Sequence, residues 1–147
     1  MKNTRFTSIL SSTLLASALA IGSLASTQFA SAQSSETIAK ANIPFAFQTP
    51  TQVLPAGDYL IVQEANHLIR LQGTSKGGFV VAHDATKTKA PTHGSIVFLR
   101  YGDKYYLRQV WTAGNTVGLE CSKSRSEKET MQAKNQLPSD PIVVATY

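Results

Sequence analysis

Two runs of β-branched and aromatic residues, 95–101 and 104–111, are the strongest structural constraint in the chain. They flank Gly102 and Asp103. A two-residue loop that begins with glycine is typical of a type II′ turn, because its first position needs a positive φ angle. The segment therefore predicts an antiparallel β-hairpin.

Both faces of this hairpin carry large apolar residues. The direct register pairs Phe98 with Leu107 on one face and Val97 with Arg108 on the other. An antiparallel sheet with one solvated face alternates cleanly between apolar and polar residues, and this hairpin does not. We expect a second sheet to cover one face, and a helix, a partner subunit or a ligand to cover the other.

Residues 38–48 alternate with a period of two, which is the pattern of a half-buried strand. The apolar side of the alternation consists of Ala41, Ile43, Phe45 and Phe47. Because Pro44 cannot donate a ladder hydrogen bond, the strand is predicted to lie at a sheet edge or to contain a bulge at Pro44.

A second hairpin is predicted from residues 59–63 and 67–71. A two-residue loop at 65–66 would pair Leu60 with Leu71 on the apolar face. Shorter strands are predicted at 79–83, 117–120 and 142–146.

One helix is predicted to begin at Ser124. Ser124 and Glu127 have the spacing of a capping box, in which the serine accepts from a backbone amide and the glutamate reaches back. The apolar residues of this segment are Met131, Ala133 and Leu137. The helix is therefore expected to be mostly solvated.

These elements predict an all-β fold, a small antiparallel sandwich or partly open barrel of six to eight strands with one peripheral C-terminal helix. The single cysteine, Cys121, excludes a disulfide framework. About 115 residues can bury a core without one.

The N-terminal residues 1–32 have the pattern of a secretory signal peptide. Lys2 and Arg5 precede an uncharged apolar run, and Ala30-Ser31-Ala32 follows as a small-x-small cleavage site. The run is too short and too rich in serine for a stable membrane span. We therefore predict removal of residues 1–32, a single β-rich domain over residues 33–147, and a periplasmic or extracellular location.

The charge of the predicted mature chain is mild. Of 14 Lys and Arg, two lie in residues 1–32, and the remaining 12 stand against nine Asp and Glu, which gives +3. These basic residues, Arg108 among them, are dispersed, which is the pattern of a solvated surface. Nucleic-acid binding is not predicted, because it needs a clustered basic footprint, and no stable membrane span remains after signal cleavage.

Three stretches stand in the order IPFAF (43–47), LPAGDY (54–59) and RYGDKYYL (100–107), followed by VW (110–111). With the signal peptide, they resemble an uncharacterised family of small exported bacterial β-rich proteins. The resemblance covers nearly all of the mature chain and implies export and a short β-rich domain. It implies no activity, so it identifies no catalytic residue.

Histidines and carboxylates offer one candidate metal site. His83 and Asp84 lie at one end of the predicted loop 84–93 and His93 at the other, so a site with two histidines and one carboxylate can form if the loop folds back. Cys121 has no histidine near it in sequence and is expected to be an incidental, surface or half-buried thiol.

Four aromatic residues offer a candidate binding surface, because their rings can stack on a sugar or a base. These residues are Tyr101, Tyr105, Tyr106 and Trp111. The same residues also suit strand propensity, and core or cross-strand packing is the favoured explanation for them.

The sequence predicts no cofactor and no catalytic residue. The leading hypothesis is an exported, non-catalytic binding or structural module that contacts an envelope protein, a glycan or a small ligand. The alternative is a small envelope hydrolase or metal-dependent enzyme that uses His83, Asp84 or His93.

Overall fold

The computed structural model describes residues 35–65, 67–134 and 139–147. The predicted signal peptide lies outside the described residues. The elements in chain order are β1 (Glu36–Ile43), β2 (Phe47–Gln48), β3 (Val53–Leu54), β4 (Gly57–Ala65), β5 (Leu68–Gly73), β6 (Gly77–Thr86), β7 (Ser95–Tyr101), β8 (Lys104–Trp111), β9 (Val117–Cys121), α1 (Arg125–Lys134) and β10 (Ile142–Ala145). Among these residues, no helix is both long and apolar enough to cross a membrane.

The strands form one mixed sheet that is not closed, and the predicted all-β class with one C-terminal helix is confirmed. Its order is β1-β4-β5-β6-β9-β8, and β7 and β10 continue it on the other side of β8. The two-residue strand β2 pairs with β8 in parallel, and the other strand pairs are antiparallel. Near the two ends of the order, the backbone N–H of Tyr147 donates to the carbonyl of Lys40 at 3.0 Å.

The core is a single cluster to which strands along the whole order contribute, so one side of the sheet curves around it. The largest members are Ile43, Phe47, Leu54, Tyr59, Ile61, Ile69, Leu71, Ile96, Phe98 and Leu107. The alternation at 38–48 is confirmed for Ala41, Ile43 and Phe47, which are all buried. Pro44 divides this segment into β1 and β2, because the chain leaves the ladder where its N–H is missing.

The register predicted for the second hairpin is wrong by one residue. Ile61, and not Leu60, pairs with Leu71, because the strands first pair at Ala65 and Leu68, later than the predicted loop allows. Glu64, the extra residue in a β-bulge of β4, offsets only half of this shift. The bulge places Ile61 and Leu71 in the core, and the Glu64 carboxylate pairs with the guanidinium of Arg70.

The first predicted hairpin is confirmed as β7 and β8. Gly102 has a φ angle of 65°, as its turn requires. The predicted register holds from the turn to Phe98 and Leu107, but Val97 then pairs with Gln109. Arg108 is the extra residue of a second β-bulge, and this bulge carries Leu107 and Val110 into the same core although they lie three residues apart.

Half of the predicted capping box is confirmed at the start of α1. The backbone N–H of Glu127 donates to Ser124 Oγ at 2.9 Å, which satisfies one free amide of the first turn. The Glu127 carboxylate does not take the predicted position at the N-cap but pairs with Arg108 in the interior. The expectation of a mostly solvated helix is therefore wrong for one side of α1.

Candidate functional site

Three of the four aromatic residues proposed for ligand binding are buried. Tyr101, Tyr106 and Trp111 are 2%, 1% and 1% exposed, so their rings offer no open face to a ligand in this conformation. This corrects the predicted binding surface. The physical reason is that the outer face of the β7–β8 hairpin is covered by the chain itself.

Trp111 is covered by small and flexible neighbours. A Cβ atom at Gly118 would lie 2.5 Å from the indole ring, so only glycine leaves room for the ring there. Lys87 Nζ lies 4.0 Å from a ring centroid of Trp111, and the indole N–H donates to Gln109 Oε1 at 3.0 Å. These contacts assign Trp111 a packing role.

Tyr105 is half-buried, and its ring is occupied as well. Phe45 stacks on it with ring centroids 4.0 Å apart and an angle of 17°. The guanidinium carbon of Arg100 lies 5.7 Å from the Tyr105 centroid. Tyr105 therefore belongs to the packing around Pro44, where β1 and β2 are separated.

Beneath α1, a buried ion pair takes the place of the expected open surface. Arg108 and Glu127 side chains are 8% and 2% exposed, and Arg108 Nη2 donates to Glu127 Oε1. Arg108 Nη1 donates to the carbonyl of Cys121 at 2.8 Å. Tyr101 OH lies 3.5 Å from Glu127 Oε1, at the limit of a hydrogen bond. Burial, together with the negative charge of Glu127, raises the pKa of Tyr101 above its ordinary value.

One donor atom of Arg108, Nε, is buried and forms no hydrogen bond with any acceptor among the described residues. A buried donor without a partner is costly, by about 1–3 kcal/mol. We name the surface formed by Tyr101, Tyr106 and Arg108 the arginine pocket.

The sequence analysis placed Arg108 on a solvated surface and therefore missed this pocket. The feature that indicated it was a charged residue in the middle of a strand whose other residues are mostly apolar or aromatic. Arg108 is itself the extra residue of the bulge, and this irregularity in the register decides which way its side chain points.

The structure does not bring the three predicted metal residues together. His83 Nε2 lies 3.1 Å from Ser122 Oγ, and Asp84 Oδ1 lies 3.4 Å from His67 Nε2. His93 is exposed in the loop between β6 and β7. The described residues contain no group of three His, Cys, Asp or Glu that could hold a metal ion, so the geometry gives the His83, Asp84 and His93 hypothesis no support.

Cys121 is fully buried in the core, which corrects the expectation of a surface or half-buried thiol. Burial raises the pKa of this thiol to about 12, although the nearby Arg108 charge acts in the opposite direction. A thiol that stays protonated at neutral pH is a poor nucleophile. Cys121 is therefore a core residue and not a reactive group.

Three of the six large apolar side chains that are exposed among the described residues lie on or near β6. Phe79 and Val81 point outward from β6 and are 53% and 58% exposed, and Val53 of β3 is 52% exposed. Val53 lies close to this part of β6, because Lys76 Nζ, just before the strand, donates to the Val53 carbonyl at 2.7 Å. We name Val53, Phe79 and Val81 the β6 patch.

A hollow of about 390 Å³ adjoins the β6 patch at the turn between β5 and β6. Arg70, Lys76 and Phe79 line it together with the turn backbone. The hollow lies beside the apolar surface and is lined by both polar and apolar groups.

Comparison of the chain with protein-family models, curated proteins and solved structures finds no match. The resemblance to a family of small exported bacterial proteins stays a prediction from the sequence.

Proposed function

We propose that the chain is an exported, non-catalytic binding module of the cell envelope or extracellular space, and that it contacts a partner protein through the β6 patch. The observation that carries the proposal is the pair Phe79 and Val81, two large apolar residues about half exposed on one strand face. Contiguous exposed apolar surface on a soluble domain is characteristic of an interaction site.

The open surface is the face of β6 and not its edge. The free carbonyls of Gly77 and Phe79 are covered by side chains of the β2–β3 turn, with Gln52 Nε2 2.8 Å from Gly77 O and Thr51 Oγ1 3.4 Å from Phe79 O. An edge protected in this way is a poor template for an added strand. A partner would therefore bind by side-chain contact with Phe79 and Val81.

Photo-crosslinking in the producing cells tests this function. A photoreactive amino acid at Phe79 should give a discrete crosslinked product, whereas the same group at Val117, which is 42% exposed on β9, should not. The double substitution Phe79→Ser and Val81→Thr, with the probe at Val53, should remove the product. Equal products at Phe79 and Val117, or none at either, would refute the β6 patch as the contact surface.

The runner-up function, an envelope hydrolase, is favoured by one contact. His83 Nε2 and Ser122 Oγ are 3.1 Å apart, a distance that suits a general base and a nucleophile. Hydrolysis of an activated ester by the purified protein should be lost in both His83→Ala and Ser122→Ala and kept in His93→Ala. Rates that do not exceed the buffer rate would remove this candidate.

A further inference from the structure

Glu127, which occupies the arginine pocket, does not use all of the hydrogen-bond donors of Arg108. Glu127 engages Arg108 through Nη2, and Cys121 O engages Nη1, while Nε is buried without a described partner. A carboxylate that approaches the side of a guanidinium can accept from Nε and Nη2 together, and such bidentate pairs are the stronger geometry. The pocket therefore offers a donor atom, Arg108 Nε, that its internal occupant does not use.

Hydrogen bonds between side chains contribute to holding α1 on the pocket. Ser126 Oγ lies 3.2 Å from Gln48 Oε1 and 3.5 Å from Tyr106 OH, and Thr130 Oγ1 lies 3.2 Å from Tyr106 OH. With Glu127, these residues form one helical face at positions i, i+1 and i+4. A docked face built from hydroxyls and one carboxylate resembles a transient interface more closely than a core.

The length and apolar content of α1 also anchor it only weakly. It has ten residues, of which Met131 and Ala133 are apolar, and a helix of this length is marginal in water without packing. A hollow of about 250 Å³ lies beside α1 and is bordered by Tyr101, Lys104 and Thr130. α1 therefore does not pack continuously against the hairpin turn.

We propose that the arginine pocket is a binding site for an acidic helical peptide, and that α1 occupies this site within the chain. The ligand is a helix with a carboxylate between two hydroxyl residues in the pattern Ser-Glu-x-x-Thr, which is the pattern of Ser126, Glu127 and Thr130. Its carboxylate replaces that of Glu127 on Arg108, so the guanidinium is paired before and after the exchange. The site is distinct from the β6 patch and does not depend on it.

A peptide with the sequence of residues 122–134 is the direct probe, because it carries the pattern. Its binding, followed by fluorescence anisotropy, should be at least about tenfold tighter to the Glu127→Gln protein than to the unsubstituted protein, the factor expected for one lost charge-assisted hydrogen bond. The matched control is Glu129→Gln, which removes the same charge from an exposed pair with Arg125. The control protein should bind the peptide as weakly as the unsubstituted protein does.

The peptide's own carboxylate supplies the second control. A peptide that carries glutamine in place of Glu127 should bind the Glu127→Gln protein at least about tenfold more weakly than the parent peptide. Equal binding of the two peptides would contradict recognition by Arg108.

A second variant keeps the inference testable if the Glu127→Gln protein does not fold. Ser126→Ala with Thr130→Ala weakens the docking of α1 without leaving Arg108 unpaired, and this protein should also bind the parent peptide more tightly than the unsubstituted protein. Hydrogen exchange of the unsubstituted protein should show α1 amides opening before those of β8. The inference is overturned if neither variant gains affinity for the peptide, or if α1 and β8 exchange only by global unfolding.

Discussion

The carboxylate of Glu127, in the first turn of α1, is buried against the guanidinium of Arg108, which is the extra residue in the bulge of β8. The two residues lie 19 positions apart in sequence. This pair connects the only described helix to the central hairpin and explains why Tyr101 and Tyr106 are covered.

Removal of Glu127 should therefore destabilise the protein strongly. Glu127→Ala leaves Arg108 buried without its counter-charge, and we expect a loss of about 3–5 kcal/mol in the free energy of unfolding. Glu129→Ala breaks the exposed pair with Arg125, in which the side chains are 61% and 94% exposed, and should cost less than about 1 kcal/mol. Urea denaturation measures both values. Equal losses in the two variants would show that the buried pair stabilises the fold no more than the exposed pair does.

Gly118 should not tolerate alanine. The added Cβ would lie 2.5 Å from the Trp111 ring, which is rigid and itself buried, so β9 must shift to accommodate it. We expect a loss of about 1–3 kcal/mol, as for other overpacked sites. Gly78→Ala is the matched control, because its Cβ would meet the end of the flexible Gln52 side chain. Thermal unfolding should show a larger decrease in Tm for Gly118→Ala than for the control.

Cys121→Ser should be more costly than the sequence suggested. A partly exposed thiol would tolerate serine at less than about 1 kcal/mol. Because the side chain is fully buried, a serine hydroxyl there must be desolvated, and we expect a loss of about 1–3 kcal/mol in chemical denaturation. A variant as stable as the parent would indicate that the hydroxyl finds a partner or water in the core.

The same thiol should make stability depend on pH in the alkaline range. Its pKa is raised from 9.0 to about 12 in the folded protein, so the unfolded chain loses the proton first as the pH rises. The stabilisation is complete below pH 9 and decreases between pH 9 and 12, by up to about 1.4 kcal/mol per pH unit. Cys121→Ala should show a flatter profile over this range. Urea denaturation at several pH values measures the difference, and parallel profiles would contradict it.

We predict that the chain is exported and that its mature form begins at or within a few residues of Gln33. The prediction rests on the uncharged run and the Ala30-Ser31-Ala32 site that follows it. N-terminal sequencing or intact mass of the protein recovered outside the cytoplasm gives the answer. A protein that keeps Met1 there would contradict cleavage, and Ala30→Asp should block processing because that site requires a small residue.

The sequence by itself determined the all-β class, the Gly102 turn and the N-cap at Ser124. Each of these depends on residues that are close in the chain. The features are a period of two, a glycine with a positive φ angle, and a serine that accepts a hydrogen bond from the amide three residues later. Local chemistry was sufficient there because the interacting groups are neighbours.

Only the tertiary structure decided the two bulges, the direction of Arg108 and the burial of Tyr101, Tyr106 and Cys121. A bulge changes which face of the sheet the following side chains occupy. The bulge at Arg108 places Val110 in the core, where a regular strand would place Gln109. Whether a charge at Arg108 meets water or a carboxylate depends on a helix that begins 17 residues later in the chain. The local pattern shows that the charge is unusual for its strand but does not show what pairs with it, because burial depends on what the rest of the chain brings near.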